Sequence, residues 1–333
     1  MKVSFIADID YANVLTEYSH CFNKHSDIES KSICLKSHPF NYKIQHDYDL
    51  ESATLEQRKE ALQFITESDC IVFAEENSNL TSTYWMLDHI KDILGVDILE
   101  LNSKVCIWHA GSTYRNNATY YNLHPLKHKL HKSLYGIDLY RLSPKSEKDV
   151  PIHVYQYFDF DYDQFIADFK LKVSKKPWTV LHIPSNTNTK GTYEINETIS
   201  QLDLDPNVFE YKNITGIPHP QVIEEKQNSI FYIDQFNPNI GGYGISTLES
   251  IINANFTFST VNNISDSIHY LTGEYEVPLV SLGSSETDLY LTLEEYIKNI
   301  DESTLIEYMM GIGQWIETHY SHKVIIQNFK DLL

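Results

Sequence analysis

Two stretches of the chain combine the residue types needed to grip an anion. His182-Ile183-Pro184-Ser185-Asn186-Thr187-Asn188-Thr189-Lys190-Gly191-Thr192 leaves an apolar run and enters a polar helix start. It supplies hydroxyls, amides, one ammonium at Lys190 and a glycine where a helix N-terminus directs its N–H groups. The second stretch, Asp234-Gln235-Phe236-Asn237-Pro238-Asn239-Ile240-Gly241-Gly242-Tyr243-Gly244, follows the apolar run Ser229 to Ile233 and precedes Ile245 to Glu249. Its three glycines let main chain approach a phosphate, and Glu249, one or two turns into the helix, can accept hydrogen bonds from a ribose. Either stretch alone also reads as an ordinary strand-to-helix turn, with Thr192 as an N-cap. Two such starts in βα units of one domain point to a nucleotide phosphate site.

The elements that must position these loops follow from hydrophobic periodicity. Short β-branched runs alternate with amphipathic stretches along most of the chain, the pattern of βαβ units and parallel sheets. In the first half, strands are expected at Val3–Ala7, Ser32–Leu35, Cys70–Ala74 and Val105–His109, with shorter ones near Ile137–Leu142 and Ile152–Tyr155. Helices are expected at Ala12–Lys24, Thr54–Glu67 and Thr83–Leu94. The pattern restarts after Ser174-Lys175-Lys176-Pro177, which reads as a linker. Strands at Trp178–Ile183, Val208–Tyr211, Ser229–Ile233, Phe256–Ser259 and Val277–Leu282 then alternate with helices at Tyr193–Leu202, Pro220–Lys226 and Tyr243–Asn253, before closing helices. The expected fold is α/β: two doubly wound, Rossmann-like domains whose strand C-termini face a common cleft. The expected divisions are 1–172, 177–310 and a C-terminal helix over 311–333 that packs back on the first domain.

Length and charge narrow the functions further. The 333 residues exceed one ordinary core, and 26 Lys+Arg against 46 Asp+Glu leave a net charge of −20. That field repels phosphate backbones and anionic membranes at long range, so a bound anion must be held locally. After Lys170 the chain has nine basic and 21 acidic residues, and all three arginines (Arg58, Arg115, Arg141) precede it. The latter half must therefore hold anions with lysine and backbone. Cys21, Cys34, Cys70 and Cys106 lack Cys-x-x-Cys spacing and read as reduced core thiols, and the N-terminus reads as a strand rather than a leader, so a cytoplasmic location is expected.

The residues "HIPSN…KGT" and "IDQF…GGYGISTLES" resemble the C-terminal domain of GT-B-fold glycosyltransferases, most closely the family-4-like retaining enzymes. In the first half, Asp10-Tyr11-Ala12-Asn13 resembles the opening of the first helix in that family. His109-Ala110-Gly111-Ser112 resembles its "HGS" loop, followed by Tyr114-Arg115, and Val150-Pro151-Ile152 with Phe158-Asp159 resembles the turn before its linker. The resemblance implies transfer of a sugar from a nucleotide-diphosphate sugar to an acceptor hydroxyl of a glycan or other molecule, with retention, no metal and no further cofactor. It places Lys190 on the donor diphosphate with the amides of Gly242 and Gly244, Asn186 and Tyr243 in the same donor loops, and Glu249 on the ribose. Asp234 and Gln235 would floor the nucleotide pocket, His109 would contact the transferred sugar, and Arg115 would bring a second cation.

The sequence departs from the family at three points. The carboxylate eight positions before Glu249 is replaced by Gly241, the arginine that often accompanies the phosphate-loop lysine is absent from Thr187-Asn188-Thr189, and Asp8-Ile9-Asp10 replaces a glycine pair. These departures leave open a weakened sugar-nucleotide-binding module, and a viral-type enzyme acting on DNA bases is a third reading that the net charge disfavours. His124, His128 and His131 fall at helical spacing, where they read as a basic patch with three interleaved lysines rather than a metal face. The run Tyr157 to Asp163 reads as a linker or helix start.

Overall fold

The computed structural model describes residues 1–37, 40, 42–75, 84–109, 111–153, 155–242, 244–261 and 264–332. The chain forms two compact units, Met1–Tyr157 with His322–Leu333, and Phe158–Ser321. The change of unit thus falls at Tyr157/Phe158. The segment 158–172, expected to end the first domain, and the expected linker at Ser174–Pro177 both lie inside the second unit.

The first unit contains β1 (Lys2–Ala7), α1 (Val14–His25), β2 (Glu29–Cys34), β3 (Tyr48–Asp49), α2 (Leu55–Thr66), β4 (Cys70–Glu75), α3 (Trp85–Leu94), β5 (Lys104–His109), α4 (Gly111–Leu123), β6 (Lys132–Tyr135) and β7 (Asp149–Pro151). Among the described residues its strands form one parallel sheet in the order β3-β2-β1-β4-β5-β6-β7. Strand order reverses between β1 and β4, the switch point at which open α/β sheets open a crevice beyond the strand C-termini. β1 and β4 are buried on both faces, as helix-covered parallel strands must be. One face packs Ile6, Ile33, Phe73 and Ile107 against Ile65, Ile90 and Tyr121. The other gathers Phe5, Tyr18, Phe22 and Phe329, with ring centroids 4.9–6.3 Å apart.

Two expected strands moved. Ile137–Leu142 ends in a 3-10 turn and the strand lies earlier, at β6, while Ile152–Tyr155 follows β7 instead of forming it. Tyr135 and Pro151 sit on register with their neighbours, so the sheet, rather than the apolar run, decides where pairing stops. His124, His128 and His131 do not share a helix face. Pro125–Lys129 is a 3-10 turn capped by His124, whose Nδ1 accepts the Leu126 N–H at 3.2 Å, and His124 is buried against Tyr84. Two of the three lysines there pair with carboxylates, Lys127 with Asp149 at 2.7 Å and Lys129 with Glu100 at 3.8 Å, and Lys132 donates to the Glu147 carbonyl at 2.9 Å.

The second unit contains α5 (Tyr162–Val173), β8 (Trp178–His182), α6 (Thr192–Gln201), β9 (Phe209–Asn213), α7 (His219–Gln227), β10 (Phe231–Gln235), α8 (Ile245–Ile252), β11 (Phe256–Ser259), α9 (Ser265–Thr272), β12 (Val280–Ser281), α10 (Glu286–Leu293) and α11 (Glu302–His319). Asp161 caps α5 by accepting the Gln164 N–H at 2.8 Å, which makes the acidic aromatic run a helix start. α5 packs on α11, where a Cβ on Gly313 would stand 2.9 Å from the Tyr162 ring. The strands pair in parallel in the order β12-β11-β10-β8-β9, with the switch point between β8 and β10. The closing stretch splits: α11 stays in the second unit, and α12 (His322–Leu332) joins the first through Ile325, Ile326 and Phe329. All four cysteines are free and buried. Among the described residues, no helix is long and apolar enough to cross a membrane.

Candidate functional site

The second unit's switch point brings together most of the residues marked by the sequence. The loop leaving β8 closes on itself through Asn186, whose Oδ1 accepts the N–H groups of Asn188 (3.1 Å) and Thr189 (3.0 Å) and whose carbonyl accepts that of Lys190 (3.0 Å). Asn186 therefore builds the turn. Gly191 is left-handed (φ 66°), and a Cβ there would lie 2.1 Å from the Phe236 carbonyl oxygen. Only glycine permits this approach. The approach ties this loop to the one leaving β10, because Phe236 N–H donates to the Lys190 carbonyl at 3.0 Å and the Asn237 amide donates to the Thr189 carbonyl at 2.9 Å.

Across that tie, Lys190 Nζ reaches Asp234 Oδ1 at 2.7 Å. The other oxygen of Asp234 accepts the Thr247 hydroxyl of α8 at 2.6 Å. Asp234 is 1% exposed, and Lys190 keeps 16% of its side chain in contact with solvent. Burial opposes the Asp234 charge, yet Lys190 and the Thr247 hydroxyl hold its carboxyl below the usual range. The ammonium is thus oriented from behind by a buried carboxylate and retains N–H capacity toward solvent, since Asp234 takes one of its three donors.

α6 and α8 both begin on glycines, Gly191 and Gly244, and among the described residues no side chain caps either helix. Thr192, expected as the N-cap, is the first helical residue instead. Its hydroxyl meets Nε2 of His182 at 2.9 Å, while Nδ1 of His182 meets the Ile233 carbonyl at 2.7 Å. His182 is fully buried, burial pushes its pKa down, and the neutral ring pins α6 to β10. The sequence marked His182 only as the first residue of its motif.

The glycine loop divides its roles. Gly242 donates its N–H to the Thr260 carbonyl at 2.9 Å, so the expected contact of this amide with a diphosphate is corrected: it is spent inside the protein. Gln235 fixes the same residue by donating to the Gly242 carbonyl at 2.7 Å. Gly244 is extended and a Cβ added to it would meet nothing within 4 Å. Tyr243, also expected in the donor set, lies outside the described residues.

Glu249 departs furthest from expectation. It is 3% exposed, Oε2 accepts Lys226 at 2.7 Å, and Oε1 meets His219 Nε2 at 2.6 Å. Burial opposes its charge, and the Lys226 ammonium followed by His219 holds it below the usual range. Lys226 is itself fully buried; burial lowers its pKa and Glu249 pulls it back. It also donates to the Ser246 carbonyl (2.8 Å) and hydroxyl (3.1 Å) and sits 4.7 Å from the Tyr232 ring centroid. Sequence reasoning read Lys226 as the end of a short helix and did not single out His219. A lysine among apolar positions of α7 and an imidazole at its first residue carry no motif of their own.

The remaining candidates belong to the first unit. His109 ends β5 at 1% exposure, ringed by Tyr114, Tyr135 and Tyr121 with centroids 4.5, 4.9 and 5.3 Å away. Burial, and then Lys127, push its pKa down to about 3, so the ring is neutral, and among the described residues its Nδ1 has no hydrogen-bond partner. Its carbonyl faces the Gly136 N–H at 3.4 Å. Arg115 pairs with Asp138 of the same unit, with both side chains about four-fifths buried.

No family model matches the chain, and no curated protein matches it by sequence. Solved structures do match. Sucrose-phosphate synthase from Thermosynechococcus elongatus aligns at a TM-score of 0.56 and 10% identity, covering 100% of this chain and 98% of that one. T4 phage BGT in complex with its UDP-glucose substrate aligns at 0.48 and 13%, covering 100% and 99%. UDP-GlcNAc 2-epimerase from Methanocaldococcus jannaschii aligns at 0.44 and 12%, covering 88% and 92%. At these identities the likeness is one of fold. The chain has the GT-B architecture of two parallel-sheet, Rossmann-like α/β units.

Proposed function

We propose that the protein is a glycosyltransferase that takes its sugar from a nucleotide-diphosphate donor held at the second unit's switch point. The observation that carries this reading is Lys190, set by Asp234 and Thr247 between two uncapped helix starts that flank the β8/β10 reversal. A diphosphate there meets one preorganised ammonium and two positive helix ends. In the reaction the bond from sugar C1 to the diphosphate oxygen breaks with its electron pair leaving on the diphosphate. The acceptor oxygen bonds to C1 and its proton passes to an oxygen of the leaving diphosphate. The protein's part is to orient the two substrates and to stabilise charge on the leaving group. Retention and operation without a metal belong to this proposal; Lys190 and the helix starts would take the cation's place.

The test is incubation with UDP-, GDP-, ADP- and dTDP-sugars, following release of the nucleoside diphosphate and, by NMR, the anomeric configuration of the product. Lys190→Ala is expected to lower turnover by about a hundredfold or more, the usual cost of one preorganised charge contact. Unchanged turnover removes the lysine from the mechanism. A second reading, a nucleotide-sugar-binding module without transfer, is favoured by the engagement of both Glu249 oxygens and by the Lys190 pairing with Asp234. Binding with neither transfer nor hydrolysis selects it.

A further inference from the structure

We infer that a cavity at the N-terminal ends of β8 and β9 binds a linear aliphatic diamine or polyamine. The cavity, about 510 Å³, belongs wholly to the second unit and is lined by Trp178, the first residue of β8, and Phe209, the first of β9. Its volume lies in the ordinary range of ligand pockets. The loop carrying Lys190 leaves the opposite end of β8, so this place is separate from the proposed donor site and the inference does not rest on it.

The lining has an apolar part and an acidic part. Trp178, Phe209 and Ile300 supply apolar surface, while the segment after α6 brings Asp203 and Asp205 and the turn into α11 brings Asp301 and Glu302. With Lys176 and Lys298 the cavity is lined by four carboxylates and two ammoniums, an excess of two negative charges. Among the described residues, Glu302 alone of the four acids has a cationic partner, Lys176 at 3.9 Å. Asp205 and Asp301 accept from neutral groups: Asp205 from the Asn207 N–H and side-chain amide, both at 2.9 Å, and Asp301 from the Thr304 N–H at 2.8 Å and the Ser303 hydroxyl at 2.6 Å. Asp203 follows Leu202, the C-cap of α6, with a left-handed φ of 49°. A carboxylate there stands at the negative end of the helix dipole, where a cation is favoured instead. The chain's own cation nearby, Lys298, donates to the Leu202 carbonyl at 3.1 Å.

Lys176 displays how this cavity receives an ammonium. Its Nζ lies 4.4 Å from the centroid of the Trp178 ring while it reaches Glu302, so the charge is held between an aromatic surface and a carboxylate. A ligand with an ammonium at each end and methylenes between them repeats that arrangement at the carboxylates left without a cation. Its stem covers Phe209 and Ile300, its ends reach Asp203 and Asp301, and its two charges match the excess of the lining. A divalent metal ion suits the place less well, because it requires a close shell of oxygens and makes no use of apolar surface.

The experiment is calorimetric titration of the full chain with putrescine, cadaverine and spermidine in about 0.1 M salt, where distant exposed charges are screened. The diamines are expected to bind about fivefold tighter than butylamine, which lacks the second ammonium, the upper end for one partly exposed ion pair. Asp203→Asn and Asp301→Asn are each expected to weaken the diamines about three- to fivefold, and together about tenfold or more. Both variants should fold, since asparagine tolerates left-handed backbone and caps a helix as well as aspartate does, and thermal melting checks this. The control Glu197→Gln/Glu317→Gln removes two exposed carboxylates from helices of the same unit and is expected to change affinity less than about twofold. Equal weakening by the control, or equal binding of butylamine and the diamines, would show attraction to the net charge of −20 alone and overturn the inference. Binding of magnesium ion in place of the diamines, or no binding of any amine, overturns it as well. None of these readouts uses a nucleotide, so each of those results leaves the proposed function standing.

Discussion

The two switch points of this molecule are built on the same topology and carry opposite electrostatics. In the first unit, the helices that start beside the β1/β4 reversal are filled by the chain's own carboxylates. Asp10 accepts the N–H groups of Leu15 and Thr16 in α1 at 3.1 and 2.7 Å, and Glu75 accepts that of Met86 in α3 at 3.0 Å. In the second unit the corresponding helices start on glycines with no side-chain cap, and the carboxylates nearby, Asp234 and Glu249, each hold a lysine. A helix N-terminus attracts an anion wherever one can reach it. The first unit supplies that anion internally; in the second no described side chain fills the place, and the Thr192 N–H at the start of α6 donates to the Thr187 carbonyl at 3.1 Å. Two parallel sheets of different size thus share one kind of switch point and differ in what fills it: the chain's own carboxyl groups in the first unit and, on the proposed reading, a phosphate in the second.

The strongest way to break this contrast is to take a cation out of the second unit. Lys226→Met leaves Glu249 buried with His219 as its remaining partner, and removal of one member of a buried pair typically costs about 3–5 kcal/mol. Urea denaturation should show that loss, and the double variant Lys226→Met/Glu249→Gln should recover a good part of it. Full recovery of stability without recovery of nucleotide binding would show that the pair exists for function. Gly191→Ala is the next largest. It combines left-handed strain with a 2.1 Å approach to the Phe236 oxygen, and together these should cost about 3–4 kcal/mol and part the two loops that set Lys190 against Asp234.

The first unit's internal anions are sharpened by pH. Burial raises Asp10 from an ordinary 3.8 to about 6 and Glu75 from 4.5 to about 7, with the helix N–H groups pulling both partway back. A carboxyl whose folded pKa is raised binds its proton more tightly in the folded state. Its contribution to stability is complete below the unfolded pKa and is lost as pH rises through the folded one. Buried neutral His109 acts the other way, contributing at high pH and losing that contribution as pH falls from 6.5 toward 3. Wild-type stability alone therefore mixes the two slopes, and the informative quantity is a difference. Relative to Glu75→Gln, the wild type should lose about 3 kcal/mol between pH 4.5 and pH 8, read from urea titrations at both values. A difference that does not change with pH would show Glu75 to be ionised throughout.

Much of this was legible in the sequence for a simple reason. Strands buried on both faces and helices with one apolar stripe leave patterns that survive any tertiary context, as in Cys70–Glu75 and Phe256–Ser259. Lys190 and Gly191 were legible because a polar loop with glycine before a helix has few uses. Glu249 was marked as a polar residue of the right helix but assigned to a ligand, because a sequence does not show that Lys226, on a different helix, turns inward to meet it. His182 and His219 were illegible for the same cause: each is set by contacts with other strands or helices. The strands misplaced at Ile137–Leu142 and Ile152–Tyr155 show apolar runs being overruled by register with β5 and β6. The boundary at Tyr157 was missed because α5, whose apolar face would suit either unit, packs on α11.

The smallest expected change in stability is also the sharpest test of the open helix start. Gly244 has a negative φ of −112° and open space where a Cβ would go, in contrast to Gly191. Its backbone is accessible to any residue, so Gly244→Ala should cost no more than the ordinary preference for glycine over alanine at an N-cap, about 0.5–1 kcal/mol. What a methyl group would obstruct is a ligand oxygen approaching the N–H groups of α8. A melting shift no larger than that, together with a clear loss of UDP, GDP or ADP affinity in the Ala variant, would mark close approach of a diphosphate to this backbone. Unchanged affinity would move the phosphates off α8 and leave Lys190 and the start of α6 to hold them.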